Sequence, residues 1–443
     1  MIGHRTTKSV AAATVAFVAL AGCTGPAGSP SGAAASSAAA SSAVAPEEVV
    51  NRALSDVERY WTATYPQLSG GKPFQPVQGG YHPYTQADPP PACGAEAGTY
   101  QPNAFYCPDG DFIAWDAEKL IPQLQSNFGR LLVALVIAHE YGHAIQHRLN
   151  LTGQPSVVVE QQADCFAGAW LADAMAGHSG SFKGITPAQI DDALAGMLLL
   201  RDQPGTSATN EGAHGNAFDR IRALQDGVQN GAVKCSGYNA TNLPITEVPF
   251  TRERDAATGG NLPYDEAVDT ILKDVEAYWA KAYPQLTGQP WKPLTVQPFD
   301  PSSAPACPAP DAIAGGAAFY CPDGDFIAYD DQKLRALYEQ FGDNAVGLIL
   351  GDLYARAVQH RRGQSTEGSS GQLAVDCLNG SWTYDLLHRG TQTDATTLSP
   401  GDLDEAVGAL LALGRATGGS GASGFDRIAA YRNGVLNGLS ACK

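Results

Sequence analysis

Basic residues are scarce in this chain of 443 residues, which has 28 Lys and Arg against 45 Asp and Glu and a formal net charge of −17. Binding to nucleic acid depends on clustered basic side chains, so the composition argues against that class of function. Two motifs are also absent. No CxxC spacing occurs among the nine cysteines, which argues against a cysteine-rich zinc site, and no GxSxG elbow supports a serine hydrolase.

The start of the chain lacks an apolar segment long enough to remain as a membrane-spanning helix. Residues 1–9 carry a few basic groups, residues 10–19 are apolar, and Leu-Ala-Gly-Cys follows at 20–23. This order resembles a bacterial lipoprotein signal, which predicts a signal peptide over 1–22 and a lipid anchor on Cys23. We therefore expect an exported protein held at the outer face of the cytoplasmic membrane. The alternative is an ordinary signal peptide and a secreted protein.

A stretch of small, uncharged residues follows the signal. Residues 24–46 contain no large side chain and cannot bury enough apolar surface to order themselves, which predicts a disordered tether over 23–46. The chain as a whole is 44% hydrophobic, which supports packed cores beyond the tether.

The remainder of the chain contains one unit twice. The segment FYCPDGDFIA occurs at 105–114 and, unchanged, at 319–328, and FDRI occurs at 218–221 and again at 425–428. Residues 243–262, which lie between the copies, are rich in Pro, Gly and charge, as is typical of a linker. We therefore predict two homologous domains in tandem, 47–242 and 263–443, joined by that linker.

Hydrophobic spacing predicts a mainly helical fold with a small β-sheet, which is the α+β class. Val50, Leu54, Val57 and Trp61 are spaced as one face of an amphipathic helix. The aromatic and β-branched residues around the Asp-Gly pair of the repeated segment predict a short strand or hairpin. Further helices are expected at 128–149, 158–175 and 187–202.

The eight cysteines after Cys23 follow the repeat, four in each copy. Eight cysteines allow 105 pairings, and an exported protein meets an oxidising compartment in which disulfides persist. The repeat favours pairing within each copy. We predict Cys93–Cys107 with Cys165–Cys235 in the first copy, and Cys307–Cys321 with Cys377–Cys442 in the second.

The candidate chemistry is in the segment HEYGHAIQH at 139–147. His139 and His143 are four residues apart on a predicted helix, so both imidazoles lie on one face and can bind one metal ion. Glu140 lies beside them, within reach of a water molecule at the metal. His147 lies on the same face but about 12 Å from His139 along the axis, too far to share an ion, and is expected to be structural.

A catalytic zinc ion needs a third protein ligand, and Glu160 in the segment EQQADC at 160–165 is the candidate. HExxH followed by a helical ExxxD resembles the gluzincin arrangement. Over about residues 95–232 the chain resembles the "putative neutral zinc metallopeptidase" family. The resemblance implies a zincin-like fold, one zinc ion bound by His139, His143 and Glu160, and an aspartate, Asp164, that orients the first histidine. It also implies peptide-bond hydrolysis with Glu140 as the general base.

The second copy acts as an internal comparison. Where the first copy has the four proposed zinc-site residues, the second has Asp352, Leu353, Arg356 and Gln372, while Tyr141, Gln146, His147 and the Asp164-Cys165 pair persist. The second copy is therefore expected to be a degenerate, non-catalytic repeat that docks a substrate, a partner or a lid. His214, near Gly421 in the alignment, is a second catalytic candidate that could bind the oxyanion; a surface-loop histidine is the alternative.

These patterns together predict a membrane-anchored zinc metallopeptidase that acts on a peptide or protein substrate and binds no nucleic acid. Two rival interpretations remain. In one, the protein binds zinc but serves as a non-catalytic scaffold or partner-binding protein. In the other, it is a structural envelope protein and its HExxH motif is accidental.

Overall fold

A computed structural model describes residues 44–95, 98–250, 253–313, 315–389, 397–416 and 421–442. The predicted signal peptide, the anchor site Cys23 and the tether as far as residue 43 lie outside these residues. The first half contains α1 (Pro46–Leu68), β1 (Gly80–Tyr84), β2 (Ala104–Cys107), β3 (Phe112–Asp116), α2 (Leu120–Leu149), α3 (Ser156–Met175), α4 (Pro187–Met197, continued as a 3₁₀ turn at Leu198–Leu200) and α5 (Ala217–Ser236).

The second half has the same order of elements, with additions. It contains α6 (Glu253–Ala257), α7 (Tyr264–Thr287), β4 (Thr295–Phe299), β5 (Asp311–Ala312), β6 (Ala318–Cys321), β7 (Phe326–Asp330), α8 (Asp331–Phe341), α9 (Asp343–Arg361), α10 (Gly368–His388), α11 (Asp402–Ala416), α12 (Gly424–Asn437) and a 3₁₀ turn at Leu439–Ala441. The described residues are thus mostly helical, with two small mixed sheets, and the α+β class is confirmed.

The two sheets are built around the repeated hairpin. In the first sheet β3 lies in the middle, antiparallel to β2 and parallel to β1, so that Ile113 is in register with both Tyr106 and Tyr81. The hairpin expected around the Asp-Gly pair is therefore present. Strand β1 was not predicted. Its sequence GYHPY has no regular alternation, and it pairs with a strand about thirty residues away.

Helix α2 is the core helix of the first half and packs against α1, α3 and α4. Its length and composition would suffice to cross a membrane, but its side chains from Leu131 to Glu140 are almost all buried inside the fold. Gly129 has a φ of 79°, which a glycine adopts without strain, and it divides the helix. The straight segment that carries the HExxH motif therefore begins after this break, close to the predicted start at 128.

Four disulfides are present in the described residues, and they pair the cysteines within each half as the repeat predicted. Cys165–Cys235 joins α3 to α5, and Cys377–Cys442 joins α10 to the end of the chain. The predicted linker is partly held against the first half, because the backbone N–H and hydroxyl of Thr246 donate to Asp219 of α5.

Candidate metal centre

Helices α2 and α3 lie side by side and bring the two motifs together. The contact is close at Gly142, where an added Cβ would lie 3.0 Å from the Cα of Ala163. Glycine at the centre of the HEYGH segment therefore lets the helices approach. His139 and His143, one turn apart on α2, face Glu160 in the first turns of α3, and all three side chains are largely buried.

The ligand atoms of these three residues converge. The two Nε2 atoms are 3.1 Å apart, the Nε2 of His139 lies 3.2 Å from one oxygen of Glu160, and the Nε2 of His143 lies 3.5 Å from the other. A zinc ion with tetrahedral bonds of about 2.0–2.1 Å has ligands about 3.3 Å apart. All three distances are close to this spacing, with one oxygen of Glu160 facing each imidazole, so these residues fit a zinc ion.

The opposite ring nitrogens are held by neighbours. The Nδ1 of His139 lies 2.8 Å from Asp164, and the Nδ1 of His143 lies 2.8 Å from the side-chain oxygen of Gln146. The amide nitrogen of Gln146 donates to the carbonyl of Val159 at 2.6 Å, which fixes its orientation. Each imidazole can thus donate its Nδ1–H outward and present the lone pair of Nε2 to a metal, as ligand histidines require.

Asp164 is itself held by a buried arginine on α5. Arg220 makes two hydrogen bonds to its carboxylate, at 2.8 and 2.9 Å, and a third to the carbonyl of Leu200 at 2.6 Å. A paired guanidinium and carboxylate are rigid and geometrically specific. Asp164 therefore links Arg220 to His139.

Glu140 lies next to the ligand group and points toward the sheet. One of its carboxylate oxygens accepts a hydrogen bond from the backbone N–H of Tyr106 in β2, at 3.0 Å. The side chain is largely buried, and burial is the main cause that raises its pKa above the ordinary value. A buried carboxylate held by one backbone donor beside a metal centre is suited to accept a proton.

Charge in the metal-free site is set by burial and by the ion pairs. Burial lowers the pKa of His139, but Asp164 and Glu160 outweigh it and raise that pKa to about 10. Burial raises the pKa of Asp164, but Arg220 and His139 outweigh it and lower it to about 2. Since a metal binds the neutral imidazole, zinc binding at neutral pH should release a proton from this site.

His147 and His214 lie apart from the ligand group. The ring of His147 packs edge-on against Tyr106, with centroids 6.2 Å apart, as expected for a structural residue. His214 lies on the loop before α5, where its backbone N–H and its Nδ1 both contact Asp202, at 2.8 and 3.3 Å. Among the described residues, the hydrogen bonds of His214 go to Asp202 and do not reach His139, His143 or Glu160.

Three residues that support the site, namely Tyr106, Gln146 and Arg220, were not among the site residues predicted from the sequence, although Gln146 was assigned to the shared scaffold. Tyr106 acts through its backbone, so its side chain carries no signal. Gln146 and Arg220 did carry one, because both persist in the second copy, as Gln359 and Arg427. Their persistence marks them as part of the scaffold that both halves share.

In the second half an arginine stands at the centre of the equivalent site. Arg356, at the position of His143, donates to Asp352, at the position of His139, over 2.5 Å, and to Gln372, at the position of Glu160, over 2.7 Å. It also pairs with Asp311 of β5, a strand that covers the sheet edge formed by β6. In the second half, the guanidinium of Arg356 therefore provides the positive charge at this position.

The fold and the converging imidazoles define a helical α+β protein whose HExxH helix carries side chains able to hold a metal ion. The chain belongs to the family described as "Putative neutral zinc metallopeptidase", whose model matches residues 11–238. Zinc and peptide-bond hydrolysis are accordingly the chemistry that the family name indicates.

Three curated relatives are 30% identical to this chain over 176 residues, and each is an uncharacterized protein: one is from Mycobacterium bovis and two are from strains of Mycobacterium tuberculosis. The match covers 34% of this chain and 59% of each relative, so the chain spans somewhat over half of their length. No solved structure matches the chain.

Proposed function

We propose that this protein is a membrane-anchored, extracytoplasmic zinc metallopeptidase whose first domain hydrolyses peptide bonds. The observation that carries the proposal is the convergence of the ligand atoms of His139, His143 and Glu160, at separations of 3.1, 3.2 and 3.5 Å, with Glu140 beside them. Family membership supports the same chemistry.

Each residue of the site has a role in this reaction. Bound zinc would supply a Lewis acid for the peptide carbonyl and a water molecule of lowered pKa. Glu140 takes the proton of the attacking water and returns it to the leaving amine, while the N–H of Tyr106 holds its carboxylate in place. Asp164 and Gln146 fix the imidazole rings from the far side.

His214 is proposed as a donor to the oxyanion that forms during hydrolysis. Asp202 contacts its Nδ1, which leaves Nε2 as the nitrogen that would face a substrate. The role requires the loop to approach the centre when substrate binds. In a His214→Ala variant, kcat should fall while the zinc content stays the same; an unchanged kcat would assign His214 to the loop alone.

We also propose how the chain divides into domains and where it is anchored. Residues 47–242 would form the peptidase domain, 243–262 the linker, and 263–443 a non-catalytic repeat in which Arg356 replaces the metal. Residues 1–22 would be removed and Cys23 lipidated. A Cys23→Ser variant should move from the detergent phase to the aqueous phase of a phase-separating detergent; unchanged partitioning would remove the anchor.

Metal analysis of the full chain, purified in detergent, tests the site. One zinc ion per chain is expected, with loss in His143→Ala and retention in His147→Ala, a matched control one turn along the same helix face. Glu140→Gln should keep the zinc but no longer cleave a library of fluorescence-quenched peptides. Zinc in the wild type without any cleavage would favour the non-catalytic scaffold, and a folded, metal-free wild type would leave only the structural interpretation.

A further inference from the structure

The two halves contact each other through equivalent residues. Asp191 of α4 accepts hydrogen bonds from the backbone N–H groups of Gly424 and Phe425, at 2.8 and 2.9 Å, in the first turn of α12. Asp404 of α11 occupies the position equivalent to Asp191 and accepts from the N–H of Phe218 at 2.9 Å, in the first turn of α5. Each half thus supplies an aspartate to the start of the other half's helix, where unpaired N–H groups favour a negative charge.

One further contact follows the same symmetry. Gln225 of α5 and Arg432 of α12 occupy equivalent positions and bond to each other at 2.5 Å. Arg201 pairs with Asp404 at 2.9 Å. The second half has Gly414 at the position of Arg201, and the adjacent Arg415 makes an exposed pair with Asp192 at 3.3 Å. A surface that meets its own equivalent about a two-fold axis is the interface of a homodimer. Here both copies of that interface are in one chain.

This interface lies close to the residues that hold the metal ligands. Asp404 binds the N–H of Phe218, which precedes Arg220 by two residues on α5. It also binds Arg201, which directly follows Leu200, and the carbonyl of Leu200 is a partner of Arg220. Asp404 therefore contacts both the start of α5 and the segment of Leu200 and Arg201. The guanidinium of Arg220 lies between them.

From Arg220 the contacts continue to the metal centre. Arg220 binds Asp164 through two hydrogen bonds, and Asp164 lies 2.8 Å from the Nδ1 of His139. Two consecutive contacts between buried side chains, Arg220 to Asp164 and Asp164 to His139, thus join the segments that Asp404 holds to a ligand in the first half.

We propose that the second half serves as a covalently attached partner subunit of the first, and that Asp404 is a positioning residue for the metal centre across their interface. The inference rests on the proposed zinc site. It gives the degenerate repeat a role that needs no chemistry of its own, since Asp404 acts through Phe218, Arg201 and Arg220.

The symmetry supplies a matched control. Asp191 makes the same kind of contact in the opposite direction, and the helix that it holds, α12, carries Arg427, which pairs with Asp376 and Asp352. No imidazole ligand lies at the end of that series of contacts. Asp404→Asn and Asp191→Asn should therefore perturb equivalent interface contacts, while only the first should affect the metal.

The experiment measures the zinc dissociation constant of the full chain by competition with a chelator, together with the absorption spectrum of the cobalt-substituted protein. Loss of a partner that orients a metal ligand lowers affinity by about 10–100-fold, and we expect Asp404→Asn to reach the lower end of that range. Its cobalt spectrum should also shift. Asp191→Asn should keep the wild-type spectrum and a dissociation constant within about twofold, because its contacts do not lead to a ligand.

A second pair of variants keeps the test decisive if Asp404→Asn does not fold. Arg201→Gln removes the ion pair from the first-half side without changing the cap on α5, and Arg415→Gln, which removes an exposed ion pair across the same interface, is its control. Equal zinc affinities and spectra in Arg201→Gln, Asp404→Asn and their controls would overturn the inference while leaving the zinc site intact. A wild type that binds neither zinc nor cobalt would instead overturn the proposed function, and the inference with it.

Discussion

Replacing Arg356 with methionine would remove the cation at the centre of the second half. The guanidinium is almost fully buried and pairs with Asp352, which is also buried, and with Asp311, which is slightly more accessible. After the change, Asp311 keeps His360 and Thr366 as partners, at 2.9 and 2.6 Å. Asp352 keeps only longer contacts, to Gln372 at 3.3 Å and to Arg427 at 3.4 Å.

The cost of the change follows from this asymmetry. Breaking a buried ion pair by removing one partner costs about 3–5 kcal/mol, because the remaining charge stays buried without compensation. Removing both charges is far less costly, since an apolar pair of similar volume is often neutral or stabilising. Arg356→Met should therefore lower the free energy of unfolding by about 3–5 kcal/mol. Adding Asp352→Leu should restore most of that loss.

Urea unfolding followed by tryptophan fluorescence measures both variants, with chelator present throughout so that metal binding adds nothing to stability. Arg335→Met is the control in the same half. Its guanidinium is 44% exposed and pairs with Asp265, so solvent screens the pair and its loss should change the stability little. Two results would refute the reasoning: a loss in Arg356→Met no larger than that in Arg335→Met, or a double variant as unstable as the single one.

Two further predictions concern the ring support and the buried acids. Gln146→Leu removes the partner of His143 and should weaken zinc binding about 10–100-fold in a chelator competition, whereas Gln359→Leu at the equivalent position should not; equal effects would contradict the assigned role. Burial raises the pKa of Asp343, which faces Asp402 and Glu405, to about 6, so its folded form loses stability as the pH rises from about 4 through 6. In urea unfolding, Asp343→Asn should then stabilise the protein by up to roughly 3 kcal/mol at pH 7.5 and by little at pH 4. The exposed Asp269→Asn should change the stability little at either pH. A gain of equal size at both pH values would exclude a titration effect.

The parts of the fold that could be predicted from the sequence are those with a local period. Val50, Leu54, Val57 and Trp61 do form the buried face of α1, and the hairpin forms at the repeated segment. Strand β1 could not be found in this way, because its parallel partner is distant in the chain and its own residues do not alternate. The within-copy disulfides were inferred from the repeat and not from spacing alone.

In the candidate site, too, only the residues within a local motif could be predicted from the sequence. The ligand group could be predicted from two short motifs. Each motif is contiguous, and helical spacing places its ligand residues on one face of the helix. The pairs that support it join distant residues, such as Arg220 with Asp164, and no periodicity encodes such contacts. The interface between the halves depends on still more distant pairs, for example Asp404 with Phe218. The lipid anchor on Cys23 and the docking of an outside partner by the second half stay predictions.

The two halves together show which contacts belong to the fold and which to the metal. The bidentate pair of Arg220 with Asp164 recurs as Arg427 with Asp376, so the aspartate does not require zinc in order to persist. The halves differ in the source of positive charge. In the second, Arg356 contacts the residues at the positions of His139 and Glu160 and completes the centre from within the chain. In the first, two imidazoles and a carboxylate face one another at the ligand spacing of a divalent ion. One scaffold thus holds a buried cationic side chain in one copy and a group of side chains able to hold a metal ion in the other.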